Sequence, residues 1–402
     1  MANRYWFLSG IFALLQTCTA AMRFAALCFA LLGCVLSPAT HAEPVRGVYL
    51  ATWEGLQALD SLPEGRVNTL LLAFLRLCGP HELAKDRAAC ADKPPHSLSD
   101  GATERAFNQA LLRRKQREPG LKVWASVGGW GGSDGFFPMA ATPTTRAAFV
   151  ADALRYLREH AAVDGLDLDW EHPGGNGAAN GVQLGGPADG ANFLALLTEL
   201  RHALDGLGRE HQRRYGLSVA VNVTRPVLQR VDWAATAPLL DHVFMMSYDY
   251  HGAWNPHTGH HAALKGAGRD DSLEESVATL RAAGMPAQKL VAGAAFYGRA
   301  WRGVAGPKAG AKAAGPALSA DGALGWRELA TCCVGPAWLR LHDSARGADA
   351  LWHPQRRIWI SYESPATVRA KAQWAQAQGL GGVFAWEWTQ DDGALLDALT
   401  RP

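Results

Sequence analysis

Residues 164–175 read DGLDLDWEHPGG, and the reading of this stretch decides the fold. Asp167, Asp169 and Glu171 are spaced by two. On an extended strand, side chains alternate between faces, so the three acids point one way. Leu166, Leu168 and Trp170 point the other way. A solvated acidic loop has no use for large apolar residues at alternate positions. The stretch is therefore a strand with an acid row on one face and an apolar row on the other. Asp164 is off this parity, at the strand's entry, and is expected to support the strand by hydrogen bonding.

Seven more apolar runs share the pattern of a buried strand. They are GVYLATW from Gly47, TLLLAFL from Thr69, LKVWASVGGW from Leu121, YGLSVAVNV from Tyr215, LLDHVFMMSYDY from Leu239, KLVAGAAFYGR from Lys289 and LGGVFAWEW from Leu380. Amphipathic stretches such as TTRAAFVADALRYLREHAA and ANFLALLTELRHALDGL lie between them, the second preceded by Asp189 as a candidate N-cap. Continuous apolar strands alternating with helices predict a parallel sheet covered on both faces. Eight such units predict an α/β fold, the (β/α)8 TIM barrel. The acid row then faces the barrel interior and ends at the C-terminal mouth. About sixty residues separate the seventh and eighth runs, too many for a plain loop. A small α+β insertion over residues 301–358 is expected there, opening with a mobile Ala/Gly-rich segment.

The formal net charge of +2 and the lack of a basic run disfavour nucleic acid as a partner. The N-terminal stretch MRFAALCFALLGCVLSPATHAEP resembles an export signal starting at Met22, with small residues leading to a cleavage site at Ala42. Residues 1–42 are therefore read as a leader and 43–402 as the catalytic barrel. The product is expected to be secreted or periplasmic, without stable membrane insertion. LLGC, which would lipidate Cys34, is the less favoured alternative. Beyond Cys18, Cys28 and Cys34, four cysteines remain. In an exported chain they suggest disulfides, with Cys78 and Cys90 the first candidate pair. Bridged and free states both stay open for Cys332 and Cys333.

Neighbouring carboxylates in a low-dielectric site cannot all ionise cheaply, so a proton is shared and at least one pKa rises. That makes a protonated Glu171 available as a general acid. A divalent-metal site of oxygen ligands is the competing reading. It leaves unexplained the aromatic residues that end other strands.

The motif D-x-x-D-x-D-x-E resembles that of glycoside hydrolase family 18, the chitinase family. The resemblance extends to SVGGW on the third strand, MSYDYHGAWNPHTGH on the sixth, FYGR on the seventh and GVFAWEW on the eighth. It covers essentially the whole mature region and implies a retaining, substrate-assisted hydrolysis of β-1,4-N-acetylglucosamine linkages. In that scheme the sugar's own N-acetyl oxygen attacks the anomeric carbon. Glu171 would be acid and then base, Asp169 would hold the acetamido N–H, and Asp167 would share Asp169's proton. Tyr49 and Ser126 match residues that hydrogen-bond Asp167. Tyr248 would position the acetamido group, and Asp249 would contact the sugar at the cleaved bond. Trp386 matches the floor of the site, Trp53 and Trp130 match residues lining the groove, and Trp254 would extend it. Met246 and Arg299 would shape the pocket.

The implied partners are chitin or N-acetylglucosamine oligomers, and a monomer without cofactor is expected. A peptidoglycan- or N-glycan-cleaving N-acetylglucosaminidase is the alternative enzyme. A chitin-binding lectin is the alternative of another class, but such lectins lose the acid, and Glu171 is present. HTGHH (residues 257–261) and GGNGAANG (residues 174–181) mimic metal and phosphate motifs. The first lies in a loop after the sixth strand that the resemblance already accounts for; the second lacks a Gly-Lys-Ser/Thr ending or a Rossmann setting and is read as the flexible loop after Glu171.

Overall fold

The computed structural model describes residues 43–402 except 267–269 and 334. The expected leader, with Met22 and Cys34, lies outside the described residues.

Eight parallel strands close into a barrel: Val45–Ala51, Thr69–Leu75, Lys122–Gly128, Gly165–Asp169, Gly216–Asn222, His242–Met246, Leu290–Ala295 and Gly382–Trp386. The first strand pairs with the second on one side and with the last on the other, Val45 opposite Gly382, so no edge is left. All eight coincide with the runs read from the sequence. Long helices between them, among them Ala102–Arg117, Pro143–Glu159, Asp189–Glu210 and Pro365–Ala377, cover the outside. Two begin with proline behind a hydroxyl cap: Thr142 accepts from the Thr145 N–H, and Ser364 from the Thr367 N–H.

Strand parity sorts the two cores. Leu166, Leu168 and Trp170 join Val48, Leu72, Val127 and the helix residues Phe149, Phe193 and Leu197 in the layer outside the barrel. Trp170 stacks on Phe136, ring centroids 5.4 Å apart. Tyr49, Leu71, Trp124, Phe244, Val291 and Phe384 fill the interior. The acids share that inner side.

Asp189 is not the N-cap. It is the first residue of its helix, after Ala188. Its carboxylate instead accepts the N–H groups of Gly174 and Gly186 at 2.9 and 2.8 Å. It thereby ties down the loop that follows Glu171. That loop is pinned elsewhere too. Buried Asn176 donates to Asp134 at 2.8 Å and to the Val182 carbonyl at 2.9 Å.

Between the seventh and eighth barrel strands the chain forms a second, antiparallel sheet. Tyr297–Arg302 and Ile358–Tyr362 lie side by side at its centre. Ala348–His353 and Leu339–Asp343 extend one side, and Ala323–Gly325 the other. The sheet therefore begins before residue 301 and ends after 358. Arg299 belongs to its first strand and not to the seventh barrel strand. The Ala/Gly-rich segment is also held: Val304 donates to the Arg357 carbonyl, Ala313 to that of Pro256 and Ala317 to that of Ala300. Small side chains let this backbone lie flat against its neighbours. Disulfides join Cys78 to Cys90 and Cys332 to Cys333. No helix among the described residues is long and apolar enough to cross a membrane.

Candidate active site

Register builds the base of the site. Ser126, Asp167 and Ser218 are direct partners on the third, fourth and fifth strands, so all three project inward. Asp167 is fully buried. Its Oδ2 accepts from the Tyr49 hydroxyl and from Ser126 Oγ, each at 2.7 Å, and its Oδ1 from Ser218 Oγ at 2.7 Å. Burial raises its pKa, and the three hydroxyls pull it back in part. Burial and the neighbouring Asp167 also push the Tyr49 phenol well above its ordinary value. Asp169 Oδ1 is buried without a hydrogen-bond partner.

Asp169 is next up the row. Burial, then Glu171 and Asp167, drive its pKa well above the ordinary value, opposed by Arg76. Its carbonyl accepts from the Gly129 N–H at 2.9 Å and from Ser133 Oγ at 2.8 Å. This close approach explains the glycines of SVGGW. A Cβ on Gly128 would stand 2.2 Å from that carbonyl, at a φ of +110°.

Glu171 ends the row. Its N–H donates to Ser133 Oγ at 3.0 Å, and its side chain is 12% exposed. Burial and the charge of Asp249 raise its pKa to about 8, so it is protonated at neutral pH. His172, 3.8 Å away, is no counter-ion, because burial lowers its pKa to about 4.

Tyr248 and Asp249 follow the sixth strand. Tyr248 is buried and turned to the interior beside Tyr297 and Phe384, its phenol pushed well up by burial. Asp249 adopts a φ of +57°. Arg299 clasps it through Nε at 2.8 Å and Nη2 at 2.7 Å. Burial alone would raise the Asp249 pKa, but the neighbouring His261 and the Arg299 guanidinium carry it well below the usual range. Arg299 also donates to Asp321 at 3.0 Å and lies over the Trp254 ring.

Aromatic residues line the mouth. Trp386 lies against Tyr49 and Phe74, with ring centroids 5.3 and 5.4 Å away. Phe74 in turn stacks under Trp53. Met246, like Trp386, packs against the interior cluster. Trp53, Trp130 and Trp254 are 58%, 60% and 58% exposed. Large rings left in water at the rim of a concave site suit the flat faces of sugars. Asp164 stands away from the mouth and accepts from the Val123 N–H at 2.8 Å, from Arg213 at 2.6 Å and from Lys115. The HTGHH histidines diverge: His260 faces Asp343 and His261 faces Asp249.

Sequence reasoning did not single out Ser218, Phe74, Arg76 or His261. Ser218 was recoverable as an inward-parity hydroxyl in an apolar strand. The others depend on contacts between distant segments.

A model of the Glycosyl hydrolases family 18 matches residues 45–391, nearly the whole described chain. The chain belongs to glycosyl hydrolase family 18. Among relatives, it is 30% identical to chitinase A of Pseudoalteromonas piscicida over 88% of this chain, but it spans only 52% of that protein's length. A family 18 N-acetylglucosaminidase from Paenibacillus barengoltzii is 30% identical with a TM-score of 0.76, covering 89% of this chain and 99% of that one. A class V chitinase from Nicotiana tobaccum, solved in complex with NAG4, is 27% identical with a TM-score of 0.77, covering 89% and 98%. In this family 18 member, the acid row therefore lies at the mouth of the family's barrel.

Proposed function

We propose that the protein is an exported chitinase that hydrolyses β-1,4-N-acetylglucosamine linkages with retention, the substrate's acetamido group acting as nucleophile. The observation that carries this reading is the graded acid row. Glu171 is protonated near neutral pH at the mouth, and two further buried carboxyls stand beneath it. Glu171 protonates the glycosidic oxygen as the acetamido carbonyl attacks C1, and the leaving sugar departs. Asp169, with an unpartnered oxygen, accepts the acetamido N–H and, its proton shared with Asp167 beneath it, stabilises as a carboxylate the positive charge that develops on the ring. Tyr248 orients the acetamido group so that attack is intramolecular, and Asp249 contacts the sugar at the cleaved bond. Glu171, now ionised, deprotonates the water that opens the oxazolinium ring. Trp386 lies beneath the reacting sugar, and Trp53, Trp130 and Trp254 carry its neighbours.

The named chitinase and chitin-oligosaccharide complex among the relatives support the substrate class. The named N-acetylglucosaminidase supports keeping peptidoglycan and N-glycan cores as the second reading. The Cys78–Cys90 disulfide supports a secreted or periplasmic location. Proton NMR of fresh products from soluble N-acetylglucosamine oligomers should show the β-anomer first, and a thiazoline mimic of the oxazolinium should inhibit competitively. An α-anomer first, or indifference to the thiazoline, would overturn the mechanism. Turnover of peptidoglycan but not of chitin oligomers would move the substrate to the second reading.

A further inference from the structure

His261 is fully buried, and neither ring nitrogen has a hydrogen-bond partner. A neutral imidazole carries one N–H, and leaving a buried donor unmade is costly, so such a ring in a native site calls for a role. Its backbone is fixed on both sides: the His261 N–H donates to Ser361 Oγ at 2.9 Å, and its carbonyl accepts from the Tyr250 N–H at 3.0 Å. The ring packs against Tyr297, centroids 5.3 Å apart, and Nδ1 lies 3.8 Å from Asp249 Oδ1.

We infer that His261 is a positioning residue for Asp249, its Nδ1–H closing on the carboxylate as sugar engages and holding it toward Glu171. This rests on the glycosidase reading above. Closing needs a movement of about 1 Å to reach hydrogen-bond distance. The charged and titratable groups facing the ring agree with this direction. From the segment after the sixth strand comes Asp249, and from the second sheet's first strand come Arg299 and Tyr297. From the chain after Ile358–Tyr362 comes Glu363, paired to Lys371 at 2.8 Å. His260, next in the chain, faces Asp343 instead. Glu363 already accepts the Ala295 N–H and the lysine, and Tyr297 is a phenol. Asp249 Oδ1, 3.8 Å from Nδ1 and with one donor already on it, has a second lone pair to offer the ring. Burial keeps His261 neutral, so it contributes a directed N–H and no charge. Asp249 in turn helps keep Glu171 protonated.

The test compares His261→Leu, which has no donor, with His261→Asn, which restores one. His261→Met stands in should the leucine variant fail to fold. On a soluble N-acetylglucosamine oligomer, the leucine variant should lose about tenfold in kcat with KM changed less than about threefold. Its alkaline limb should move to lower pH, because a displaced Asp249 raises the Glu171 pKa less. Asn should restore both. Wild-type kcat and pH profile in the leucine variant, or equal loss in the asparagine variant, would overturn the inference. A second readout does not depend on turnover. In a double-variant cycle of His261→Leu and Asp249→Asn, run with and without the thiazoline mimic, the combined melting shift should fall short of the two single shifts added, by more with the mimic bound, and strict additivity in both states would overturn the pairing. A wild-type chain inactive on the oligomer would break the glycosidase reading, while the unfolding cycle would still decide the pairing.

Discussion

Asp167 accepts three hydroxyl hydrogen bonds at the base of the site and has no ion-pair partner among the described residues. Asp249 sits across the same mouth and is gripped by both arms of a guanidinium. Burial raises the pKa of the first, while Arg299 and His261 outweigh burial and lower that of the second. The residue type is the same, so the difference lies in the partners. Neutral donors stabilise an anion less than a cation does, and desolvation then wins. One side of the mouth favours bound protons and the other holds fixed negative charge. Glu171 responds to the charge of Asp249, and its own charge raises the Asp169 pKa.

The hardest way to break this division is to remove the proton donor. Glu171→Gln should lower kcat on oligomers by about 10³-fold while binding persists, read by steady-state kinetics and calorimetry. The same variant tests the pH sign. The Glu171 pKa rises from its ordinary 4.5 to about 8 on folding. The folded state therefore holds this proton more tightly, and the stability it contributes is complete below about pH 4.5 and is lost as pH rises through 8. Urea unfolding across that window should show a decline in the wild type that is flatter in Glu171→Gln.

Arg299→Met should come next. It strands the Asp249 carboxylate and should destabilise the fold by about 3 kcal/mol, the low end for a broken buried pair because Asp249 keeps 28% side-chain exposure. The Asp249 pKa should rise, as read by carbon NMR titration. A stable variant with an unmoved Asp249 would mean that the guanidinium is not what separates the two sides. Ser218→Ala removes one of three donors and should cost about 1–2 kcal/mol, with the Asp167 pKa rising further. Trp53→Ala should be the mildest: about a threefold rise in KM with kcat retained, as expected of a rim contact.

Much of this was legible in one dimension, and the reason is periodicity. Alternation on the fourth strand puts Asp167, Asp169 and Glu171 on one face, and the other seven barrel strands are legible as continuous apolar runs. Where a residue's role depends on its own strand's parity, local pattern sufficed. Ser218 could have been found the same way. Arg299 could not: the turn after Ala295 sends it into a second sheet, and nothing in FYGR marks where the barrel strand stops. Asp189 looked like a helix cap because its type suits one, but the loop glycines after Glu171 competed for its oxygens and won.

The chain's own order of residues determined the barrel, its inward acids and the aromatic residues that end several strands, because a two-residue repeat fixes facing without reference to any distant segment. Only the folded structure decided in which direction the pKa of each carboxyl around Glu171 moves. That depends on hydroxyls from the first, third and fifth strands, a guanidinium from the second sheet and an imidazole from a loop. Partners so far apart in sequence meet only when the barrel closes, and electrostatic energy follows distance in space.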